Sequence, residues 1–182
     1  MSDYITTYTG EHFVPTEPEK DKLKIEDIAH ALSLICRGNG HVKTFFSVGQ
    51  HCINCALEAV ARGYSQRVIL ACLLHDASEA YMSDVPKPFK KYLAEYNAIE
   101  DALLDVIYEK YLGSTLSPEE QTLVKQIDNA FLYYDLLNLL NEKMDIPRPE
   151  IRISFSYDFV PFEVVENQYK ELFEQYKITQ PT

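Results

Sequence analysis

The stretch Val68-Ile69-Leu70-Ala71-Cys72-Leu73-Leu74-His75-Asp76-Ala77-Ser78-Glu79 places a histidine and a carboxylate, both able to bind metal, at the end of an apolar run. An isolated ionised carboxylate in such surroundings loses far more solvation free energy than its packing returns. A divalent cation would compensate the charge of Asp76, so the stretch indicates a metal site at the end of a buried segment. His51, upstream, and Asp128, within a later apolar segment, are candidates for the same site.

The segments before this stretch predict two helices. Apolar residues recur at helical spacing from Ile25 to Ile35, and the sequence Gly38-Asn39-Gly40 ends that helix. The sequence Ser47-Val48-Gly49-Gln50 has the form of a capping box, which begins a second helix that runs to about Ala61 and places His51 in its first turn. Residues 1–20, which mix aromatic residues with glycine and proline, predict an irregular arm.

The remaining segments predict four more helices. Ser65 caps a third helix from Gln66 to about Tyr81, a fourth covers residues 93–112, and Gly113 closes it. The sequence Ser117-Pro118-Glu119-Glu120 begins a long helix that runs through about Met144. Residues 145–160 contain prolines and one short alternating run, residues 151–155, which predicts a brief extended piece. A last helix is predicted from Pro161 to about Tyr176.

Length and composition predict one domain over residues 1–182, because 46% hydrophobic and 25% charged residues are ordinary for a globular chain of this size. The net charge of −11 argues against a surface that binds a nucleic acid polymer. No apolar run approaches the roughly 20 residues that a membrane span needs, and the N-terminus lacks the pattern of a signal peptide. We therefore expect a cytoplasmic protein without membrane attachment.

The four cysteines, Cys36, Cys52, Cys55 and Cys72, lie in segments that read as apolar helix, which favours reduced, buried thiols. Cys52-Ile53-Asn54-Cys55 also forms a C-x-x-C sequence. A structural zinc half-site and a redox pair remain open for it, although no second C-x-x-C follows and the βαβ context of a redox fold is missing. Core packing is the favoured interpretation.

The candidate metal site combines imidazole and carboxylate ligands. On a helix, His75, Asp76 and Glu79 can project into one pocket, and His51 and Asp128 would complete a set of two nitrogen and two oxygen donors. Such a set suits one divalent transition ion, Co, Mn, Zn, Fe or Ni, with Mg as a further option. Asp135, seven residues after Asp128 and on nearly the same helix face, is the alternative fourth ligand.

The order His51, His75-Asp76, Asp128 resembles the H…HD…D signature of the HD-domain metal-dependent phosphohydrolase superfamily. The string from His75 to Pro88 is similar to that of the bacterial 5′-deoxynucleotidase branch, in which HD-x-x-E and a following D-x-P recur. Tyr8-Thr9-Gly10, residues 25–32 and Ser47-Val48-x-x-His51 resemble the small phage and bacterial HD hydrolases that include phage dATP triphosphohydrolases. The resemblance covers about residues 8–140.

This resemblance implies an all-α, HD-type helical bundle of about six helices, with the metal held by His51, His75, Asp76 and Asp128. It also implies hydrolysis of a nucleotide phosphoester, with a deoxynucleoside mono- or triphosphate as the favoured substrate. Glu79 would position or deprotonate the attacking water, and Asp84 would support the handling of water or leaving group.

The substrate is less constrained than the metal site. Candidate phosphate contacts are the basic residues near the motifs, namely Arg37, His41, Lys43 and Lys87. The deoxynucleotidase branch carries Arg-Trp ahead of its first histidine, whereas Arg37 is followed by Gly38 and the chain contains no tryptophan. Hydrolysis of (p)ppGpp, a cyclic nucleotide or another phosphoester, and a non-catalytic metal- or nucleotide-binding module, therefore remain alternatives. The long helices and the 13 tyrosines predict a homodimer.

Overall fold

The structure, a computed structural model, describes residues 3–178. Six helices of nine or more residues form most of it, and two four-residue helices lie between the third and the fourth of these. In chain order they are α1 Ile25–Leu34, α2 Val48–Ala61, α3 Gln66–Leu74, α4 Glu79–Met82, α5 Lys87–Lys90, α6 Ala94–Leu112, α7 Pro118–Leu139 and α8 Phe162–Tyr176. The all-α class and the expectation of about six helices are confirmed. None of the helices in this described part combines the length and apolar content that a membrane crossing requires.

The N-terminal arm contains more regular structure than the sequence predicts. Two short strands, β1 Ile5–Thr6 and β2 His12–Phe13, pair antiparallel. Several contacts attach the arm to the helices. Phe13 is fully buried, and the Tyr8 ring stacks on His30 of α1 with centroids 3.7 Å apart. Thr9 donates hydrogen bonds from its N–H and its hydroxyl to the buried carboxylate of Asp27 on α1, at 2.6 and 2.9 Å.

Both predicted capping boxes are present. The Ser47 hydroxyl accepts from the Gln50 N–H at 3.1 Å, and the Ser47 N–H donates to Gln50 Oε1 at 3.0 Å. The same reciprocal pair joins Ser117 and Glu120. A side-chain cap of this kind stabilises a helix start by about 1 kcal/mol. These local signals therefore set where α2 and α7 begin.

The third helix is shorter than predicted, since α3 ends at Leu74 rather than near Tyr81. From His75 onward the chain tightens into turns, with the Ala77 N–H donating to Leu74 O at 2.9 Å and the Glu79 N–H donating to Asp76 O at 3.0 Å. The prediction that one continuous helix carries His75, Asp76 and Glu79 is therefore wrong: the first two lie in the turn after α3 and Glu79 begins α4.

The helix α7 is also shorter than predicted, since it ends at Leu139 rather than near Met144. Asn141 adopts a left-handed conformation (φ 56°), which asparagine tolerates better than most residues, and the Glu142 N–H turns back to Leu136 O at 2.9 Å. Residues 143–161 contain no helix or strand. We call residues 143–161 the return segment; the predicted extended piece lies within it and pairs with no other strand among the described residues.

The helix α2 lies at the centre of the bundle. It packs against α1, α3, α7 and α8, and ten of its fourteen residues are buried. Close approach requires Gly49 on this helix, because a Cβ there would lie 3.1 Å from Val165 Cγ1 and 3.2 Å from Leu32 O. On α8, the buried Tyr169 donates its hydroxyl hydrogen to Leu73 O at 2.6 Å and so fixes the end of α3 just before His75.

Candidate metal centre

Four side chains from three parts of the bundle converge at the end of α3. His51 comes from the first turn of α2, His75 and Asp76 from the turn after α3, and Asp128 from the middle of α7. His51 Nε2 lies 3.2 Å from Asp128 Oδ1, and His75 Nε2 lies 3.3 Å from Asp76 Oδ2. The cross distances, His75 Nε2 to Asp128 Oδ1 and His51 Nε2 to Asp76 Oδ2, are 3.7 and 3.9 Å. Donors bound at about 2.0–2.2 Å to one ion lie roughly 3 to 3.5 Å apart, so these spacings fit a shared cation.

The ring of His75 supports this fit. Its Nδ1 lies 2.8 Å from Cys72 O, so Nδ1 carries the hydrogen and donates to that carbonyl. A neutral ring then has its lone pair on Nε2, which is buried, has no hydrogen-bond partner and faces the carboxylates of Asp76 and Asp128. A lone pair facing carboxylate oxygens is repulsive unless positive charge lies between them. A proton or a metal ion would supply that charge.

The pKa values of the cluster point the same way. Burial lowers the pKa of His75, but Asp76, Cys52 and Asp128 together more than offset this, so the net pKa lies well above its usual value. Burial raises the pKa of Asp128, but its contacts with His51 and His75 pull it far below the usual range. The carboxylates therefore favour a positive charge in this cluster, and the residues present fit a divalent cation.

Two cysteine thiols lie beside the histidines. Cys52, Cys55 and Cys72 are buried in the hydrophobic core with free thiols, in agreement with core packing. Cys36 departs from the prediction, because it lies after the end of α1 and is only partly buried. Cys55 Sγ also lies 3.6 Å from His51 Nε2. Two compact groups, His51 with Cys55 and His75, and Cys52 with His75 and Asp76, have donor atoms within 4.8 Å of one another. The two cysteines of the C-x-x-C sequence therefore lie beside the histidines of the candidate site.

Glu79 and Asp84 lie beside the cluster. The Glu79 side chain is buried and its Oε2 has no hydrogen-bond partner. Burial, together with the charges of Asp76 and Asp84, raises the pKa of Glu79 well above its usual value. Burial also raises the pKa of Asp84, although Arg37 opposes the change. Carboxyl groups with raised pKa values beside a candidate metal site are candidates for proton transfer.

A cavity of about 660 Å³ opens onto this cluster, within the size range of small-molecule sites. Six acidic residues line it, and four of them lie at the cluster end, namely Asp76, Glu79, Asp84 and Asp128; the other two are Asp135 and Glu142. Leucines near the end of α7 and beyond line another part, namely Leu132, Leu136, Leu139 and Leu140. The cavity therefore joins a charged end to an apolar wall.

Three of the four predicted phosphate contacts line this cavity: Arg37, His41 and Lys87. The fourth, Lys43, lies exposed outside the lining, where its backbone N–H donates to Leu139 O at 3.0 Å. Lys90, a further basic residue near the motifs for which a solvated surface charge was the favoured interpretation, also lines the cavity and pairs with Glu100 at 2.7 Å.

Arg37 is fixed among carboxylates. Its Nη2 donates to Asp135 Oδ2 at 2.9 Å, and its Nη1 lies 3.6 Å from Asp76 Oδ2. Burial lowers the pKa of Arg37, but these two carboxylates more than offset it and raise the pKa further. Arg37 therefore stays charged at the edge of the cavity.

Asp135 lies on the Nδ1 side of His51, away from Asp128 and Asp76. Its Oδ2 is 3.1 Å from His51 Nδ1, whereas Asp128 faces Nε2. Its Oδ1 accepts a hydrogen bond from the Tyr157 hydroxyl at 2.8 Å. Sequence reasoning missed Tyr157, because it lies in the return segment, where no periodic pattern indicates which side chains point inward.

Comparison with known proteins identifies several relatives. The chain is 38% identical over 143 residues to the uncharacterized Escherichia coli protein YfdR, across 79% of this chain and 72% of YfdR. It is 33% identical over 121 residues to an uncharacterized protein of Rhodobacter capsulatus, across 61% of that protein. It is 32% identical over 92 residues to the 5′-deoxynucleotidase of Vibrio cholerae, across 42% of this chain and 47% of that enzyme. No family model matches the chain.

Proposed function

We propose that this chain, which belongs to the family of the E. coli protein YfdR, is a metal-dependent phosphohydrolase of the HD superfamily that acts on a nucleotide. The proposal is supported by that membership, by the shorter similarity to 5′-deoxynucleotidases and by the geometry of the centre. The observation that carries the proposal is the convergence of His51, His75, Asp76 and Asp128 beside Glu79 at one end of the cavity. The proposed substrate class is a deoxynucleoside phosphate.

The four converging residues are the proposed metal ligands. A divalent ion held by them would lower the pKa of a water that it binds and would polarise a phosphoryl oxygen. The turn after α3 presents His75 and Asp76 together, and Tyr169 keeps that turn in place through Leu73 O. The ligand positions are therefore set before substrate enters.

Glu79 is the proposed acceptor for a proton from the attacking water. Its buried Oε2 has no protein partner, and its raised pKa makes the ionised group a stronger base than an exposed glutamate. As water attacks phosphorus, the bond from phosphorus to the ester oxygen breaks and that oxygen needs a proton. Asp84, which also has a raised pKa, is the proposed donor.

The charges along the cavity favour a monophosphate over a triphosphate. Among the lining cations, Arg37 pairs with Asp135 and Asp76, Lys90 pairs with Glu100, and Lys87 lies 3.5 Å from Asp128. Little positive charge is left to balance three phosphate groups. The leucine wall provides an apolar surface for the base or the sugar.

The test is a nucleotide panel with the purified protein loaded with Co²⁺, Mn²⁺ or Mg²⁺. Deoxy- and ribonucleoside mono- and triphosphates, (p)ppGpp and cyclic nucleotides are incubated separately, and the products are separated by chromatography. We expect release of phosphate from at least one deoxynucleoside monophosphate. If only (p)ppGpp or a cyclic nucleotide is hydrolysed, the proposed substrate class is wrong, whereas the assignment as a phosphohydrolase stands.

Glu79→Gln tests the catalytic assignment. The variant should bind metal normally and lose turnover by about 10²–10⁴-fold, the usual contribution of a general base. Glu142→Gln is the matched control, because Glu142 lines the same cavity but is exposed. If the wild-type protein binds metal and hydrolyses none of the panel, the catalytic proposal fails and the non-catalytic binding module is favoured.

A further inference from the structure

We propose that Asp135 is the positioning carboxylate of His51, and that Arg37 and Tyr157 hold it in place, so that the return segment controls the metal affinity of the centre. The inference rests on the metal centre in the proposed function and assigns a role to three residues outside the ligand set. It also removes Asp135 from consideration as the alternative fourth ligand.

The two nitrogens of His51 face different carboxylates. Nε2 lies on the side of Asp128 and Asp76, at 3.2 and 3.9 Å, and Nδ1 lies 3.1 Å from Asp135 Oδ2. A neutral imidazole has one N–H and one lone pair. If Nε2 offers its lone pair to the ion, Nδ1 carries the hydrogen, and Asp135 is the acceptor within reach.

The Nδ1 atom needs such an acceptor. His51 is fully buried, and its Nδ1 has no aligned hydrogen bond in this conformation, although Asp135 Oδ2 is at hydrogen-bonding distance. A histidine that binds metal commonly donates its other N–H to a carboxylate, which fixes the tautomer and the ring orientation.

Asp135 cannot easily turn to the metal side, because both of its oxygens are engaged. Oδ2 accepts from Arg37 Nη2 at 2.9 Å, and Oδ1 accepts from the Tyr157 hydroxyl at 2.8 Å. The residue is only 6% exposed, so water would not readily replace either donor. The carboxylate is therefore oriented toward Nδ1 by neighbours on two different elements.

Two sets of contacts hold the return segment in place just before Tyr157. The buried carboxylate of Glu58 on α2 accepts hydrogen bonds from the backbone N–H groups of Arg152 and Ile153, at 2.9 and 3.2 Å. Phe155 packs edge-on against Phe131, with ring centroids 5.2 Å apart. These contacts hold the Tyr157 hydroxyl, which belongs to a segment without regular structure, beside Asp135 on the Nδ1 side of His51.

The test measures Co²⁺ affinity of the full chain without substrate, by competition with a chelating dye. Asp135→Asn should weaken Co²⁺ binding by about 10–100-fold, the usual effect of losing the partner of a ligating histidine. Tyr157→Phe should weaken it several-fold. The matched controls are Asp27→Asn, another buried carboxylate, and Tyr111→Phe, which removes a hydroxyl bonded to Leu23 O outside the return segment. Neither control should change the affinity.

The visible spectrum of bound Co²⁺ separates positioning from ligation. Asp135→Asn should keep the band intensities that report coordination number, whereas Asp128→Asn should change them. The inference is overturned if Asp135→Asn leaves the affinity unchanged, if its spectrum changes as that of Asp128→Asn does, or if Tyr157→Phe has no larger effect than Tyr111→Phe. Failure of the wild-type protein to bind Co²⁺ would overturn this inference and the proposed function together. Normal Co²⁺ binding without turnover removes only catalysis, and the variants still decide the role of Asp135.

Discussion

Glu58→Gln should destabilise the protein strongly although it preserves the size of the side chain. Glu58 is fully buried; its Oε1 accepts from Arg62 Nε at 2.8 Å, and its Oε2 accepts from the N–H groups of Arg152 and Ile153. A glutamine has one oxygen and one NH₂ group. In either orientation the NH₂ group faces a donor, so at least one N–H loses its acceptor.

The size of the effect follows from these contacts. A hydrogen bond to a charged group contributes about 1.5–3 kcal/mol, and a buried donor left without a partner costs about 1–3 kcal/mol. We expect a loss of about 3 kcal/mol in the free energy of unfolding, which for a chain of this size lowers Tm by roughly 6–12 °C. Because the change releases the return segment, Co²⁺ affinity should fall as well.

The assay is urea unfolding followed by far-ultraviolet circular dichroism, with the Co²⁺ competition measured on the same samples. Glu171→Gln, an exposed position on α8, is the control and should stay within about 0.5 kcal/mol of the wild type. A loss below about 1 kcal/mol for Glu58→Gln would show that the carboxylate does not fasten the return segment, and it would refute the reasoning.

Three further outcomes are expected. Gly49→Ala should lower the free energy of unfolding in urea by about 1–2 kcal/mol, because the added Cβ would lie 3.2 Å from the backbone of Leu32. This overpacking outweighs the roughly 1 kcal/mol gain in helix propensity. A variant more stable than the wild type would contradict the tight contact. Adding Co²⁺ at a hundred times its Kd should raise stability by about 2.7 kcal/mol in a thermal melt, and excess chelator should reverse the shift; an unchanged Tm would argue against binding to the folded state. Burial raises the pKa of Glu120, but hydrogen bonds from the Ser117 N–H and from Arg67 bring this pKa below the usual value. The ionised carboxylate therefore stabilises the fold fully above about pH 5, and this stabilisation is lost as the pH falls through the lowered pKa. Glu120→Gln should therefore lose about 1 kcal/mol in urea unfolding at pH 7 and progressively less toward pH 3, and an equal loss at both pH values would count against the ionised pair.

The features that the sequence predicted are those with local or ordered signals. The starts of α2 and α7 follow from capping boxes within four residues, and the end of α6 follows from Gly113, which adopts φ 85°. The ordered motif predicted that His51, His75, Asp76 and Asp128 lie close together, and the structure places them so. Their role as ligands stays a prediction.

The features that the sequence did not predict depend on contacts between distant residues. The pattern of apolar residues continues past Leu74, and nothing local indicates that Tyr169, almost a hundred residues later, will take the carbonyl of Leu73. Likewise, Asp135 could be placed on the face of Asp128 from helical spacing alone. Only the position of the return segment decides which nitrogen of His51 it meets.

The hydrogen bond from Tyr169 to Leu73 O also bears on the order in which the protein matures on the ribosome. All four proposed ligands, up to residue 128, are synthesised before Tyr169, yet the turn that presents two of them is braced only once α8 has left the exit tunnel and docked. We therefore expect the proposed ligands to be positioned for a cation only after α8 has docked. A chain that stops before α8 should bind Co²⁺ more weakly than the full chain does.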